Sequence, residues 1–84
     1  MSRPVAEMLN LGAKSARVLG SIGIRTEGEL RKIGIVNAYR HLKHADPKGT
    51  SLLMLYALQG ALMDIHWNQL PEEIKDDLKR QLLA

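Results

Sequence analysis

Two copies of the pattern L-x-x-I-G-I follow one another in the first half of the chain, at residues 19–24 and 30–35. Each copy leads to a glycine followed by an isoleucine, and glycine most easily takes the left-handed conformation that ends a helix. Gly23 and Gly34 therefore predict two short helices in tandem instead of one long helix. The pattern is too short to indicate a solenoid repeat.

The remainder of the chain also has helical patterning. Valine, isoleucine and threonine never alternate with polar residues over the length of a strand, and the chain has no phenylalanine. Thr26 and Glu29 form a capping box that starts the third helix. We predict a single all-α domain over residues 1–84, a small orthogonal bundle of five to six short helices. The predicted helices lie at residues 4–9, 13–22, 36–45 and 52–66, with the third helix running from its capping box at Thr26 to Gly34–Ile35 and the last starting at Pro71.

The fifth predicted helix is apolar on nearly every side, which is typical of a central buried helix. Gly60 lies within it, where glycine costs up to about 1 kcal/mol relative to alanine. We expect another helix to approach closely at Gly60 in compensation. Ile74, Leu78 and Leu82 recur every four residues and give the last helix an inward stripe.

Composition and charge exclude several classes of protein. The chain has 84 residues and no cysteine, so disulfides and thiolate metal sites are excluded. Its longest apolar run covers residues 52–58, far short of the ~20 residues of a membrane span. The first residues lack the apolar core of a signal peptide, and we expect a cytoplasmic location. Residues 1–48 carry a charge of +5 and residues 49–84 a charge of −2, so the first half suits contact with phosphate.

A glycine turn before the second predicted helix is the most suggestive local feature. A helix start offers free backbone amides and a partial positive charge, and a lysine beside it adds a full charge. The turn either holds a phosphate or simply reverses the chain at a corner. The nucleic-acid-binding candidates are Asn10, Leu11, Gly12, Ala13, Lys14, Ser15, Arg17 and Arg25.

Apolar side chains of the fifth helix and the corner after it suggest a partner surface. Six short helices are not expected to cover them fully, and an uncovered apolar patch indicates a protein interface or self-association. Trp67 beside His66 either covers the core or stacks on a base, and the first is the commoner arrangement. The partner-interface candidates are Leu53, Met54, Met63 and Trp67.

Motifs for catalysis or cofactor binding are absent from the sequence. His41 and His44 lack further ligands for a metal, and the carboxylates from Glu72 to Asp77 read as a solvated helix face. No serine follows a nucleophile-elbow pattern, and no phosphate-binding loop of the nucleotide-binding type occurs. We therefore expect no enzyme activity, no cofactor, no metal and no small-molecule substrate.

The run NLGAKSARVLGSIGIRT resembles a helix-hairpin-helix element, whose hairpin is usually apolar-Gly-apolar-Gly. Asn10 stands where the first hairpin glycine normally lies, and asparagine tolerates left-handed geometry better than most residues. Residues 9–82 resemble the C-terminal domain of the TfoX (Sxy) competence-regulator family. The resemblance is carried by N-L-G-x-K-S, G-I-R-T, L-Y-A-L-x-G-A-L and H-W-x-x-L-P-E-E.

That resemblance implies an all-helical, helix-hairpin-helix-like domain linked to transcriptional control of DNA-uptake genes, without catalytic residues. Members of the family often carry a separate N-terminal domain. We expect the chain to act by docking on a protein of the transcription machinery, on the DNA backbone, or on both. The alternative is a pure protein-interaction or homo-oligomerisation module with no nucleic-acid binding.

Overall fold

The fold is built from five α-helices and two 3-10 turns, with no β-strand, in residues 2–84, the part of the chain that the computed structural model describes. The helices are α1 (Ala13–Ser21), α2 (Glu27–Ile33), α3 (Ile35–Ala45), α4 (Leu52–Met63) and α5 (Glu72–Leu83). The 3-10 turns are Val5–Glu7 and Trp67–Gln69. The predicted all-α fold class is confirmed.

Both predicted glycine stops are confirmed. Gly23 and Gly34 have φ values of 87° and 89°, in the left-handed region. The Ile24 amide donates to the Leu19 carbonyl at 2.9 Å, so the isoleucine folds back on the last turn of α1 and is buried. After Gly34 the chain starts α3 at once. The L-x-x-I-G-I pattern therefore ends α1 in a loop at its first copy and joins α2 directly to α3 at its second copy.

The predicted α-helix at residues 4–9 is wrong, because only Val5–Glu7 forms a helical turn and it is of the 3-10 type. The backbone of this segment makes short-range 3-10 bonds within itself, and it also pairs with the residues at the start of α2. The Val5 amide donates to the Arg25 carbonyl at 2.9 Å, and the Glu27 amide donates to the Arg3 carbonyl at 2.8 Å.

The fifth predicted helix is also shorter than expected, since α4 ends at Met63 and not at residue 66. Asp64 takes a left-handed conformation with φ 61°, and the Ile65 amide returns to the Gly60 carbonyl at 3.0 Å. An aspartate in this conformation ends a helix as a glycine would. The chain then turns the corner through Trp67–Gln69 into α5.

Helix α4 lies at the centre of the bundle, as its composition predicts. Its buried residues meet leucines from three other helices, and Leu78 of α5 is buried against the same core. The fully buried large side chains are Leu19, Leu30, Leu42, Leu55 and Leu58. The aliphatic core leaves the outer parts of α4 exposed at both ends, at Leu52, Leu53 and Met63.

Ion pairs join the N-terminal segment to α2. The Glu27 carboxylate accepts from the Arg31 side chain at 2.7 Å and from the Arg3 side chain at 2.9 Å. Arg31 also donates to the Leu62 carbonyl near the end of α4. The hydrogen bonds from Arg31 and then from Arg3 lower the pKa of Glu27 below its ordinary value.

This lowered pKa predicts a specific acid sensitivity. The unfolded chain takes up the Glu27 proton at a higher pH than the folded chain does, so the stabilisation is present above about pH 4.5 and is lost as the pH falls below it. We expect Glu27→Gln to lose less unfolding free energy than the parent chain on acidification. Urea titrations at neutral and acid pH measure the difference.

Glu73→Gln is the matched control, because Glu73 is exposed on α5 and has no ion pair with any residue from 2 to 84. The control is expected to follow the parent chain. If Glu27→Gln and Glu73→Gln respond alike to acid, the ion pairs at Glu27 do not stabilise the fold.

Candidate functional site

The start of α1 presents free backbone amides to solvent. Gly12 is the N-cap in an extended conformation and no side chain caps the helix. The Ala16 amide donates to the Gly12 carbonyl at 2.9 Å, whereas the amides of Ala13, Lys14 and Ser15 have no acceptor within residues 2–84. Gly12, Ala13 and Lys14 are exposed. This helix start therefore has the donors and the partial positive charge that an anion needs.

Helix α2 has the opposite arrangement, because its first amides are all engaged. Glu29 accepts from the amides of Arg25 and Thr26, and the Thr26 hydroxyl accepts from the Glu29 amide, so the predicted capping box is confirmed. The Gly28 amide donates to the Ser2 hydroxyl. Of the starts of α1 and α2, only that of α1 is open to a ligand.

Asn10 fixes the turn that precedes α1. Its φ is 73°, which confirms the expected left-handed geometry. The side-chain amide donates to the carbonyls of Ala57 (3.3 Å) and Ile65 (3.0 Å), and its oxygen accepts from the Trp67 amide at 3.2 Å. Asn10 therefore ties the turn to the end of α4 and to the corner beyond it. Its side chain is a structural brace, and its nitrogen and oxygen are both engaged in these bonds.

The segment from Asn10 to Ser15, which includes the first residues of α1, thus has an inner part and an outer part. The inner part is Asn10 and Leu11. Leu11 is only 4% exposed and belongs to the core. The outer part, from Gly12 to Ser15, can be reached from solvent. A Cβ added at Gly12 would meet no heavy atom within 4 Å, so the space outside this residue is open.

Lys14 and Arg17 supply full charges beside these amides. They lie three residues apart on α1, so they are neighbours on its surface. Neither has a carboxylate within ion-pair distance in the described part of the chain. Arg25 lies beyond the other end of α1, so the structure does not bring it together with Lys14.

Other basic residues of the first half are engaged in structural contacts. Arg31 pairs with Glu27, and Arg40 donates to the Gln81 carbonyl at the end of α5. Lys43 donates to the carbonyls of Pro47 and Thr50, both at 2.8 Å, and so holds the loop between α3 and α4. The charge of +5 is therefore not spread evenly, and Lys14 and Arg17 are among the cations that stay available.

Three of the four partner-interface candidates meet at one hollow. Leu53, Met54 and Trp67 line it together with Ser15, Ser51 and Ala57, and we call it the α1–α4 groove. Its volume is about 200 Å³. Asn10 and Gly49 complete its wall. Met63 lies at the far end of α4 and takes no part in the groove.

The loop at residues 46–49 contributes to this region in a way that the sequence does not reveal. Gly49 lines the groove, and its amide donates to the Asp46 carboxylate at 3.0 Å. Lys48 precedes Gly49 and is exposed, so the loop also carries a cation. The sequence identifies the loop but gives no signal that it packs beside the start of α1.

The remaining polar candidates have ordinary surroundings. His41 and His44 are exposed, and no group of residues within 2–84 could hold a metal ion. The His66 ring lies 5.6 Å from that of Trp67 and accepts from the Asn68 amide, so it caps the second 3-10 turn. The carboxylates of α5 lie on its exposed face. No helix within residues 2–84 is long and apolar enough to cross a membrane.

Comparison with known proteins identifies the family. The model of the TfoX C-terminal domain matches residues 1–82. The chain belongs to the TfoX C-terminal domain family. This TfoX C-terminal domain is also similar to a crystal structure of an uncharacterised protein from Listeria monocytogenes, in a triclinic form. The two share 32% identity over 93% of this chain and 88% of that chain, with a TM-score of 0.84.

A second structure from Listeria monocytogenes, a protein of unknown function in a tetragonal form, is 33% identical. The match covers 89% of this TfoX C-terminal domain and 91% of the Listeria chain, with a TM-score of 0.81. No curated protein matches the chain. The comparisons thus support the fold and the family of this TfoX C-terminal domain.

Proposed function

We propose that this chain is a non-enzymatic bacterial regulatory domain that contacts the DNA backbone through the start of α1. Membership of the TfoX C-terminal domain family supports a regulatory role, and we assign that role to the transcriptional control of DNA-uptake genes. The open helix start is the observation that carries the DNA part. No side chain caps it, its first amides have no acceptor within residues 2–84, and Lys14 and Arg17 lie beside it.

These groups suit a phosphate better than a base edge. Backbone amides and flexible ammonium groups recognise phosphate oxygens without reading sequence. Gly12 has no side chain, and the space beside it is open, so a phosphate can approach the backbone closely. Binding is therefore expected to be independent of sequence and to weaken as salt rises, because each phosphate contact releases counterions.

A duplex titration at two salt concentrations tests this function. We expect Lys14→Glu to weaken binding by roughly tenfold at low salt and to reduce the salt dependence by about one counterion. Lys79→Glu is the matched control, since it makes the same charge change on exposed α5, where Lys79 lies 4.0 Å from Asp76. Undetectable binding at low salt, or equal weakening by both variants, would contradict the proposal.

Protein docking is the second candidate function, and the α1–α4 groove favours it. Leu53 is 44% exposed at the edge of the groove, and Met54 and Trp67 are half-buried in it. Exposed apolar side chains that meet at a concave surface are typical of binding sites for other proteins. Light scattering over a range of concentrations distinguishes self-association from docking of a different protein.

A further inference from the structure

We propose that the α1–α4 groove binds a short acidic segment of a partner protein, in which one leucine-sized aliphatic side chain lies between carboxylates. The proposal rests on the protein-docking function above and names the chemistry of its partner. The aliphatic side chain would enter the groove between Met54 and Trp67. The flanking carboxylates would lie against Lys14 and the free amides at the start of α1.

The size and lining of the groove indicate one apolar anchor. A volume of about 200 Å³ is below the roughly 300–1,000 Å³ of small-molecule sites. Single side chains that enter such hollows supply much of the energy of protein interfaces. Methionine adapts its shape to different partners, and tryptophan and methionine are enriched at interfaces. The groove thus suits one side chain better than a cofactor.

The charge around the groove determines what should flank that anchor. Lys14 lines the adjoining hollow, which shares Ser15 and Met54 with the groove, and Lys48 precedes Gly49 of the groove wall. Neither lysine has an ion pair with any residue from 2 to 84. The helix starts of α1 and α4 both reach the groove, through Ser15 and Ser51, and neither has a side-chain cap. Two partial positive charges therefore add to the two lysines.

One carboxylate opposes this positive edge. Asp46 lies beside Lys14 in the adjoining hollow, and its oxygen already accepts from the Gly49 amide. The net charge at the edge stays positive, which favours an acidic partner and speeds its association.

The floor of the groove favours an aliphatic side chain over a nucleobase. Leu53, Met54 and Ala57 are aliphatic and offer no side-chain hydrogen bonds. A base that lies against these three side chains would leave its polar edge without partners on that side, which is costly. A leucine or isoleucine has no such cost.

The test uses the whole chain and a short labelled peptide that carries one leucine between two pairs of aspartates. Two further peptides replace the leucine by serine or the aspartates by asparagine. Binding is followed by anisotropy and by backbone amide shifts. We expect the parent peptide to shift amides around the groove, and each altered peptide to bind on the order of tenfold more weakly.

Two neighbouring leucines of α4 provide matched protein variants. Leu53 lines the groove, whereas Leu52 is 41% exposed beside it and is not part of the lining. Leu53→Ser is expected to weaken peptide binding on the order of tenfold, and Leu52→Ser to leave it unchanged. Duplex DNA binding should be the same in both, so failure of the peptide and failure of the DNA function are distinguishable.

Several results would overturn the inference. Equal affinity for the leucine and serine peptides, or equal effects of the two leucine variants, would exclude an aliphatic anchor in the groove. Competition by single-stranded oligothymidine that depends on Leu53 would assign the groove to nucleic acid. No detectable binding of the parent peptide at low salt would remove the acidic partner altogether.

Discussion

Replacing Gly60 by alanine is expected to lower the free energy of unfolding by about 1–3 kcal/mol, although alanine is the better helix former by up to about 1 kcal/mol. A Cβ at Gly60 would lie 2.6 Å from the Asn10 side-chain nitrogen and 2.7 Å from the Ile65 carbonyl oxygen. Both distances are shorter than van der Waals contact. The carbonyl belongs to the backbone, so the added methyl group must displace the corner after α4. Thermal or urea unfolding measures the loss.

Gly20→Ala is the matched control for this substitution. Gly20 lies in α1, and a Cβ added there would meet no heavy atom within 4 Å. The control is expected to keep or raise stability, by up to about 1 kcal/mol, because only helix propensity changes. If both alanine variants are equally stable relative to the parent chain, the corner does not need the space at Gly60.

Removing the Asn10 side chain is expected to have a comparable or larger effect. Asn10→Gly keeps the left-handed backbone available and deletes three hydrogen bonds to Ala57, Ile65 and Trp67. At ~0.5–1.5 kcal/mol for each bond, we expect a loss of about 2–4 kcal/mol in the free energy of unfolding. Asn10→Asp should be at least as damaging, because a carboxylate oxygen would then face two carbonyl oxygens.

Asn37→Asp makes the same chemical change at an exposed site, where the amide's one acceptor within residues 2–84 is the Ile33 carbonyl of the preceding helix. It is expected to stay within about 0.5 kcal/mol of the parent chain. The double variant Asn10→Gly with Gly60→Ala should lose less than the sum of the single variants, since one of the two clashing atoms is gone. Strict additivity would show that the two residues do not act on each other.

The ends of the helices show which parts of the fold can be predicted from the sequence alone. Gly23, Gly34 and the capping box of Thr26 and Glu29 act through partners at most five residues away, so their patterns are readable in the chain. The end of α4 is harder to read, since Asp64 takes a conformation that aspartate adopts only in some contexts. The first predicted helix fails because the backbone of this segment pairs with residues 20 to 24 positions later.

The candidate site was predictable in part for the same reason. The glycine, the lysine and the helix start at Gly12–Ser15 are local features, and the structure places them at the surface. The role of Asn10 was not predictable, because its partners lie 47 to 57 residues further along the chain. Another helix was expected to approach Gly60. The groups that approach it are instead the Asn10 side-chain amide and the Ile65 carbonyl.

The N-terminal segment, residues 2–10, contacts two distant parts of the molecule at once. Arg3 and Val5 bond to the start of α2, and Asn10 bonds to the corner at Trp67. Detachment of this segment would break its hydrogen bonds to the start of α2 and its hydrogen bond to the corner at Trp67 together. We therefore expect the slowly exchanging unit of this domain to combine stretches more than fifty residues apart, and a nick near the first turn to loosen both ends of the bundle together.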